Sequence, residues 1–157
     1  MTQETIPQPN NTHSENNPVG RFMVAVGAVI VQEETKKILI TQRANSQDWH
    51  PNEWEITYGR IAQHEDPHTG LRREVSEEIG ITDLTIQHVL RVWHMYRGPQ
   101  TAENDLIGIT FVCTTAVQDV SLSHEHKAYR WVTPQEALQL ISIEGIRKDI
   151  ELYMQSA

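Results

Sequence analysis

The sequence predicts one domain of the α/β or α+β class, built on a mixed or mostly antiparallel sheet. Three observations carry that expectation. Apolar runs rich in β-branched residues recur at "RFMVAVGAVIV", "ILITQR", "TIQHVLRVWHMY" and "LIGITFVCTTAV". Helix start and stop signals interrupt the run of strands. The opening "MTQETIPQPNNTHSENNP" is rich in Asn, Gln, Pro, Thr and Glu and has too little apolar content to fold. The expected organisation is a mobile polar tail over residues 1–18 and a folded domain over 19–157. A chain of 157 residues suits one domain with a real core.

From Arg21 the pattern turns apolar, and residues 21–31 read as a buried strand. "EETKK" makes a turn and "ILITQR" returns as the second strand of a hairpin. "ANSQDWHPN" is a polar loop. "EWEITYGRIA" reads as one or two short strands interrupted at Gly59. In "EDPHTGLRREVSEEIG", Asp66 can cap a helix, Pro67 fits its first position and Gly80 fits just past its end. Two long strands follow, separated by "RGPQTAEND", and "AYRWV" is a short strand. Thr133, Pro134 and Glu136 form a capping-box signature opening "TPQEALQLI", and "EGIRKDIELYMQ" reads as the last helix.

Composition narrows the function. A net charge of −8 disfavours binding to a nucleic acid polymer, which needs a basic face. It leaves room for a small anionic ligand, because a bound cation can invert the local field. The apolar run at residues 22–31 is shorter than the roughly 20 residues that span a bilayer. The N-terminus carries no apolar signal region, so the expected location is the cytoplasm. The sequon at Asn10 has no role there. Cys113 is alone, which excludes an internal disulfide and a Cys-type zinc site, and it reads as a buried strand thiol.

The segment "GLRREVSEEIG" crowds Glu74, Glu77 and Glu78 beside helical core positions. With Leu71 set at zero on a helical wheel, Val75 and Ile79 fall at about 40° and 80°. Glu74, Glu77 and Glu78 fall at about −60°, −120° and −20°, on one edge beside that stripe. Glu78 is nearly in line with Leu71, which predicts partial burial. Arg72 and Arg73 lie outside the arc, with Arg73 able to reach its edge. Like charges at this spacing repel, and burying one unpaired costs several kcal/mol. A divalent cation with oxygen preference is the natural answer. Glu65 stands just before the helix cap, its charge facing the helix N-terminus.

Taken together, Gly59, Glu65 and the run Arg73-Glu74-Val75-Ser76-Glu77-Glu78-Ile79-Gly80-Ile81 are spaced as G-x5-E-x7-REUxEExGU, with U aliphatic. This resembles the Nudix box of the MutT-like Nudix hydrolases at every specified position. The order of elements from about Arg21 to Tyr153 also resembles that family. The resemblance implies an α/β/α sandwich with a mixed sheet. It implies hydrolysis of a nucleoside diphosphate linked to another moiety, with Mg²⁺ or Mn²⁺. Carried over by position, Glu74, Glu77 and Glu78 would be metal ligands, or one of them would position or deprotonate the attacking water. Arg73 would orient a carboxylate. Glu65 would be an accessory ligand or a partner to Arg73, and the backbone at Tyr58-Gly59 would offer a ligating carbonyl. The chain departs from the family's common residues at Tyr58, His64 and Gly70, where Gly, Gly and Ala are frequent. A homodimer is a further expectation drawn from the family.

Outside the box, Glu125 in "SHEHKAYRWV" is a candidate extra metal ligand or base, the alternative being a solvated loop carboxylate. Arg43 and Arg60 are candidates to meet a phosphate. Trp49, Trp54, Trp93, Tyr96 and Trp131 are candidates to stack on a base, with packing roles as the alternative. Tyr96 sits roughly where dinucleoside-polyphosphate hydrolases of this family carry a tyrosine. Nucleoside triphosphates, dinucleoside polyphosphates, ADP-ribose and nucleotide sugars all fit as small-molecule substrates. Two other functions compete. One is a non-catalytic nucleotide-sensing Nudix domain. The other is an isopentenyl-diphosphate isomerase of the same fold, which requires a catalytic cysteine in a loop.

Overall fold

The structure is a computed structural model that describes residues 19–157. The expectations for the tail at 1–18 and for Asn10 fall outside the described residues. Seven strands, β1 (Met23–Gln32), β2 (Ile38–Arg43), β3 (Trp54–Glu55), β4 (Thr57–Arg60), β5 (Thr85–Tyr96), β6 (Asp105–Thr115) and β7 (His126–Val132), form one mixed sheet. The helices are α1 (Pro67–Ile79), α2 (Pro134–Leu140) and α3 (Glu144–Ser156).

Strand β1 is the centre. It runs parallel to β6 along its whole length, from Met23 opposite Leu106 to Gln32 opposite Thr115. Its other edge is shared: β4 pairs with Ala25–Ala28, and β2 joins at Val31 opposite Ile38. Every other pairing is antiparallel, with β5 on β6 and with β3 and β7 on β2. The mixed sheet expected from the strand pattern is therefore present, with one parallel pair.

Alternation along β1 builds two cores. Val26, Ala28 and Ile30 pack with Leu71, Val75 and Ile79 of α1, whereas Val29 and Val31 pack with Ala137, Ile141, Ile146 and Ile150 around α2 and α3. The result is the α/β/α sandwich. Its helix ends are capped as the residues predict. The Asp66 carboxylate accepts from the amides of His68 at 3.0 Å and Thr69 at 3.1 Å, and Gly80 closes α1 with φ 70°. Thr133 and Glu136 form the reciprocal capping box of α2. Cys113 is fully buried in β6, and burial pushes its thiol up to about 12.

One local expectation is corrected. The break between β3 and β4 falls at Ile56, which is fully buried, and Gly59 lies inside β4. Glycine is required there by close approach: a Cβ at residue 59 would sit 2.1 Å from Cδ of Glu74. Strand β4 and helix α1 are thus pressed together at the residue pair that carries the acidic edge.

Candidate active site

The acidic edge of α1 is organised by one guanidinium. Arg73 Nε and Nη2 donate to the two oxygens of Glu65 at 2.7 and 2.9 Å, a bidentate fork. Its Nη1 donates to Glu74 at 2.8 Å and to Glu77 at 3.2 Å, and Nη2 also reaches the Arg60 carbonyl at 3.1 Å. The wheel put Arg73 outside the carboxylate arc, but the length of its side chain brings the head group to the middle. Arg73 also ties the loop after β4 to the helix. Its hydrogen bonds, with the Ala62 amide, pull the Glu65 carboxyl down to about 2. The Arg73 guanidinium is in turn pushed up, chiefly by Glu65. Glu74 remains raised because burial outweighs what Arg73 returns.

Glu78, one helix step from this clamp, is only 6% exposed. Its Oε2 is buried and has no hydrogen-bond partner among the described residues. Burial, then the nearby charges of Glu125, Glu74 and Glu55, push its carboxyl up to about 9, with Arg43 opposing only in part. Glu78, Glu74, Glu65 and Glu125 line a cleft of about 1600 Å³ that opens across β1 and β4. A cluster of hard oxygen donors with one buried, unanswered oxygen fits a cation such as Mg²⁺ or Mn²⁺. No three His, Cys, Asp or Glu side chains converge to metal-binding distance among the described residues. The reason is visible in the clamp: Glu74 and Glu77 point at Arg73. Gathering them around one ion requires them to exchange that guanidinium for the cation.

The remaining predicted residues separate. Gly59, Arg60, Arg43 and Glu125 line the cleft, as do Trp49 and Trp93. Glu77 does not line the cleft; its side chain is 61% accessible and reaches Arg73. Arg43 is engaged within the protein, donating to Trp49 O at 2.6 Å, Glu55 at 3.0 Å and Gln47 at 3.3 Å. Tyr96 is not brought to the cleft. Its strand neighbours Met95 and Arg97 line the wall, and Tyr96 packs edge-on against His94, with ring centroids 5.2 Å apart. Trp54 lies under Arg130, and Trp131 donates to the Gln118 carbonyl.

Two polar groups escaped the sequence reading. Glu55 is buried beside Arg43 and His126. Its available signal was a carboxylate inside "WEIT", where a strand face should be apolar. Asp149 of α3 is fully buried and accepts from Arg91 Nε at 2.6 Å, from Thr110 at 3.3 Å and from the Tyr58 hydroxyl. Its signal was a charge immediately before Ile150 on the apolar side of the last helix. Tyr58 and Trp93 meet edge to face with centroids 5.7 Å apart. Gly27 and Gly108 leave them room, since a Cβ at either position would come within 2.1 Å of a ring.

A three-layer sandwich with a clamped acidic helix edge facing a large cleft is the architecture of the Nudix class of hydrolases. The chain belongs to the NUDIX domain family, whose model matches residues 21–151. It is a Nudix pyrophosphohydrolase. A nucleoside triphosphatase, NudI, from Salmonella schwarzengrund is 30% identical over 105 residues, covering 62% of this chain and 74% of that protein. The crystal structure of a MutT protein from Methanosarcina mazei Go1 superposes with a TM-score of 0.72 at 25% identity, covering 89% of this chain and 98% of the other. The Escherichia coli dihydroneopterin triphosphate pyrophosphohydrolase shares the fold, with a TM-score of 0.71 at 23% identity over 85% of this chain and 96% of its own.

Proposed function

We propose that this chain hydrolyses the pyrophosphate linkage of a nucleoside triphosphate, with Mg²⁺ or Mn²⁺ held by Glu74, Glu77, Glu78 and Glu125 and by the carbonyl of Gly59. The observation that carries this reading is the buried, unpartnered Oε2 of Glu78 at the cleft. A bound divalent ion supplies positive charge against the diphosphate oxygens and lowers the pKa of water. The protein's part is to place the donors. Arg73 holds Glu65 and keeps the loop after β4 against α1, so that Gly59 and Glu74 stay in contact. One of the α1 carboxylates orients the attacking water or takes its proton. Arg60, exposed at the cleft, offers an unshielded cation to the outer phosphates.

The triphosphate is favoured over the other nucleotides by the likeness to relatives named nucleoside triphosphatase, at 30% identity. The isomerase reading loses its nucleophile, since Cys113 is fully buried in β6. The test is product release from a panel of nucleoside triphosphates, dinucleoside polyphosphates, ADP-ribose and nucleotide sugars, with and without Mg²⁺. The expected result is metal-dependent cleavage with the highest kcat/KM on a triphosphate. Tight binding of a nucleotide without turnover would assign the chain to sensing instead.

A further inference from the structure

Glu55 lies in the two-residue strand β3 and is 6% exposed. A carboxylate buried in a strand needs charged or donating partners. Both partners here meet one oxygen: Arg43 Nη1 at 3.0 Å and His126 Nε2 at 2.8 Å. A carboxylate only accepts, so His126 donates through Nε2, which leaves the buried Nδ1 with no partner among the described residues. His126 therefore depends on Glu55 for its one side-chain contact of this kind.

The two partners of Glu55 are the neighbours of the cleft's loops. The β2–β7 register shifts between Gln42 and Arg43, and Arg43 then pairs with His126. Arg43 holds the loop after β2 through Trp49 and Gln47. The next amide, Ala44 N, donates to the carbonyl of Glu125 at 2.8 Å. The loop before His126 is tied to the end of α1, with Ser123 N donating to the carbonyl of Glu78 at 2.9 Å. Glu125 thus sits where three tethers meet: β2, the end of α1, and His126.

We propose that Glu55 is a positioning residue. By taking Arg43 and His126 on a single oxygen it locks the ends of β2 and β7 together, and so holds the carboxylate of Glu125 over the cleft beside Glu78. This rests on the reading that Glu125 and Glu78 bind the divalent ion. Glu55 also lines the cleft, but its Oε1 is taken by Arg43 and His126, and its role in this proposal is exerted through the loop.

The experiment is a double-mutant cycle on Mn²⁺ affinity, measured by titration calorimetry on the full chain without substrate, with thermal unfolding recorded for each variant. Glu55→Ala should weaken Mn²⁺ binding by about tenfold or more. The same change made where Glu125 is already Gln should cost less than about twofold, because the group it positions is gone. Glu55→Gln keeps the accepting oxygen and should recover most of the loss. Where Glu55→Ala does not fold, the cycle is run with His126→Asn, which cuts one arm of the lock and should show the same dependence on Glu125. An equal loss in both backgrounds would overturn the proposal. So would a Glu125→Gln variant that binds Mn²⁺ normally while Glu78→Gln does not; that result leaves the metal site standing. Normal Mn²⁺ binding by Glu78→Gln would instead remove the metal site and the positioning role together.

Discussion

Two carboxylates are buried on opposite faces of the same sheet, and they are treated in opposite ways. Asp149, between the sheet and α3, is fully buried and answered by Arg91, Thr110 and the Tyr58 hydroxyl. Glu78, on α1, is nearly as buried, but one oxygen has no hydrogen-bond partner among the described residues and the charges acting on it are mostly carboxylates. Burial of charge is tolerated when partners replace water. On the α3 face the protein supplies them. On the α1 face it withholds them, and the stability so lost is recoverable only from a ligand. On this contrast the proposed site takes in Glu78, and the α3 network is proposed to be structural although Tyr58 and Arg91 also line the cleft.

The largest expected effect tests that separation directly. Glu78→Gln should lower kcat by about two to four orders of magnitude with Mg²⁺ and a nucleoside triphosphate. It should leave the metal-free fold as stable as before or more so, since an amide cannot ionise on unfolding as the raised Glu78 carboxyl does. Initial rates and urea unfolding measure the two effects. Near-normal hydrolysis by this variant would end the assignment of Glu78. Asp149→Ala should do the reverse. Removing one partner of a buried pair strands Arg91 and should cost about 3–5 kcal/mol in unfolding free energy. Folded protein should still bind Mn²⁺. If Asp149→Ala instead left stability unchanged and abolished turnover, the α3 network would belong to the chemistry.

The same contrast predicts a pH dependence. The folded protein holds the Glu78 proton more tightly than the unfolded chain, because the carboxyl stands at about 9 instead of near the ordinary glutamate value. The contribution to stability is complete below the unfolded pKa of about 4.3. It is lost progressively as pH rises from there to about 9. The slope is at most about 1.4 kcal/mol per pH unit. In chelator, the unfolding midpoint should therefore fall between pH 5 and pH 9, in the region of roughly that slope. Mn²⁺ should raise it most at the alkaline end, and Glu78→Gln should flatten the metal-free profile. A wild-type profile that is flat in chelator would mean that Glu78 is answered by a group within the protein.

The α1 face was legible in the sequence because its information is local. Spacing alone put Leu71, Val75 and Ile79 on the core and Glu74, Glu77 and Glu78 on one edge, and the caps at Asp66, Gly80 and Thr133 were each readable from a few neighbouring residues. The reach of Arg73 was underestimated because a wheel describes Cβ directions, and a long side chain departs from them. The α3 network is not legible, since Tyr58, Arg91, Thr110 and Asp149 come from four elements, and it takes the β4–β1–β6–β5 pairing and the packing of α3 to bring them together. Glu55 and His126 were hidden in the same way, 71 residues apart. The strand break lies at the fully buried Ile56, where no glycine or proline marks it in the sequence. Gly59 answers instead to the close approach of Glu74.

His64 offers the smallest effect and a test of the loop that joins β4 to α1. It has φ 68°, a left-handed conformation that costs a residue with a Cβ about 1–2 kcal/mol. Glycine adopts it freely but loses more backbone entropy on folding, about 0.5–1 kcal/mol. His64→Gly should therefore stabilise the protein by up to about 1 kcal/mol, read from the urea midpoint. The residue is exposed and only two positions from the Ala62 amide that helps hold Glu65. If the loop's shape is set by the Arg73–Glu65 fork, relief at residue 64 leaves the acidic edge in place and Mn²⁺ affinity unchanged. A gain in stability accompanied by weaker Mn²⁺ binding would show the opposite: that the strained histidine, and not the fork, fixes the approach of the loop to α1.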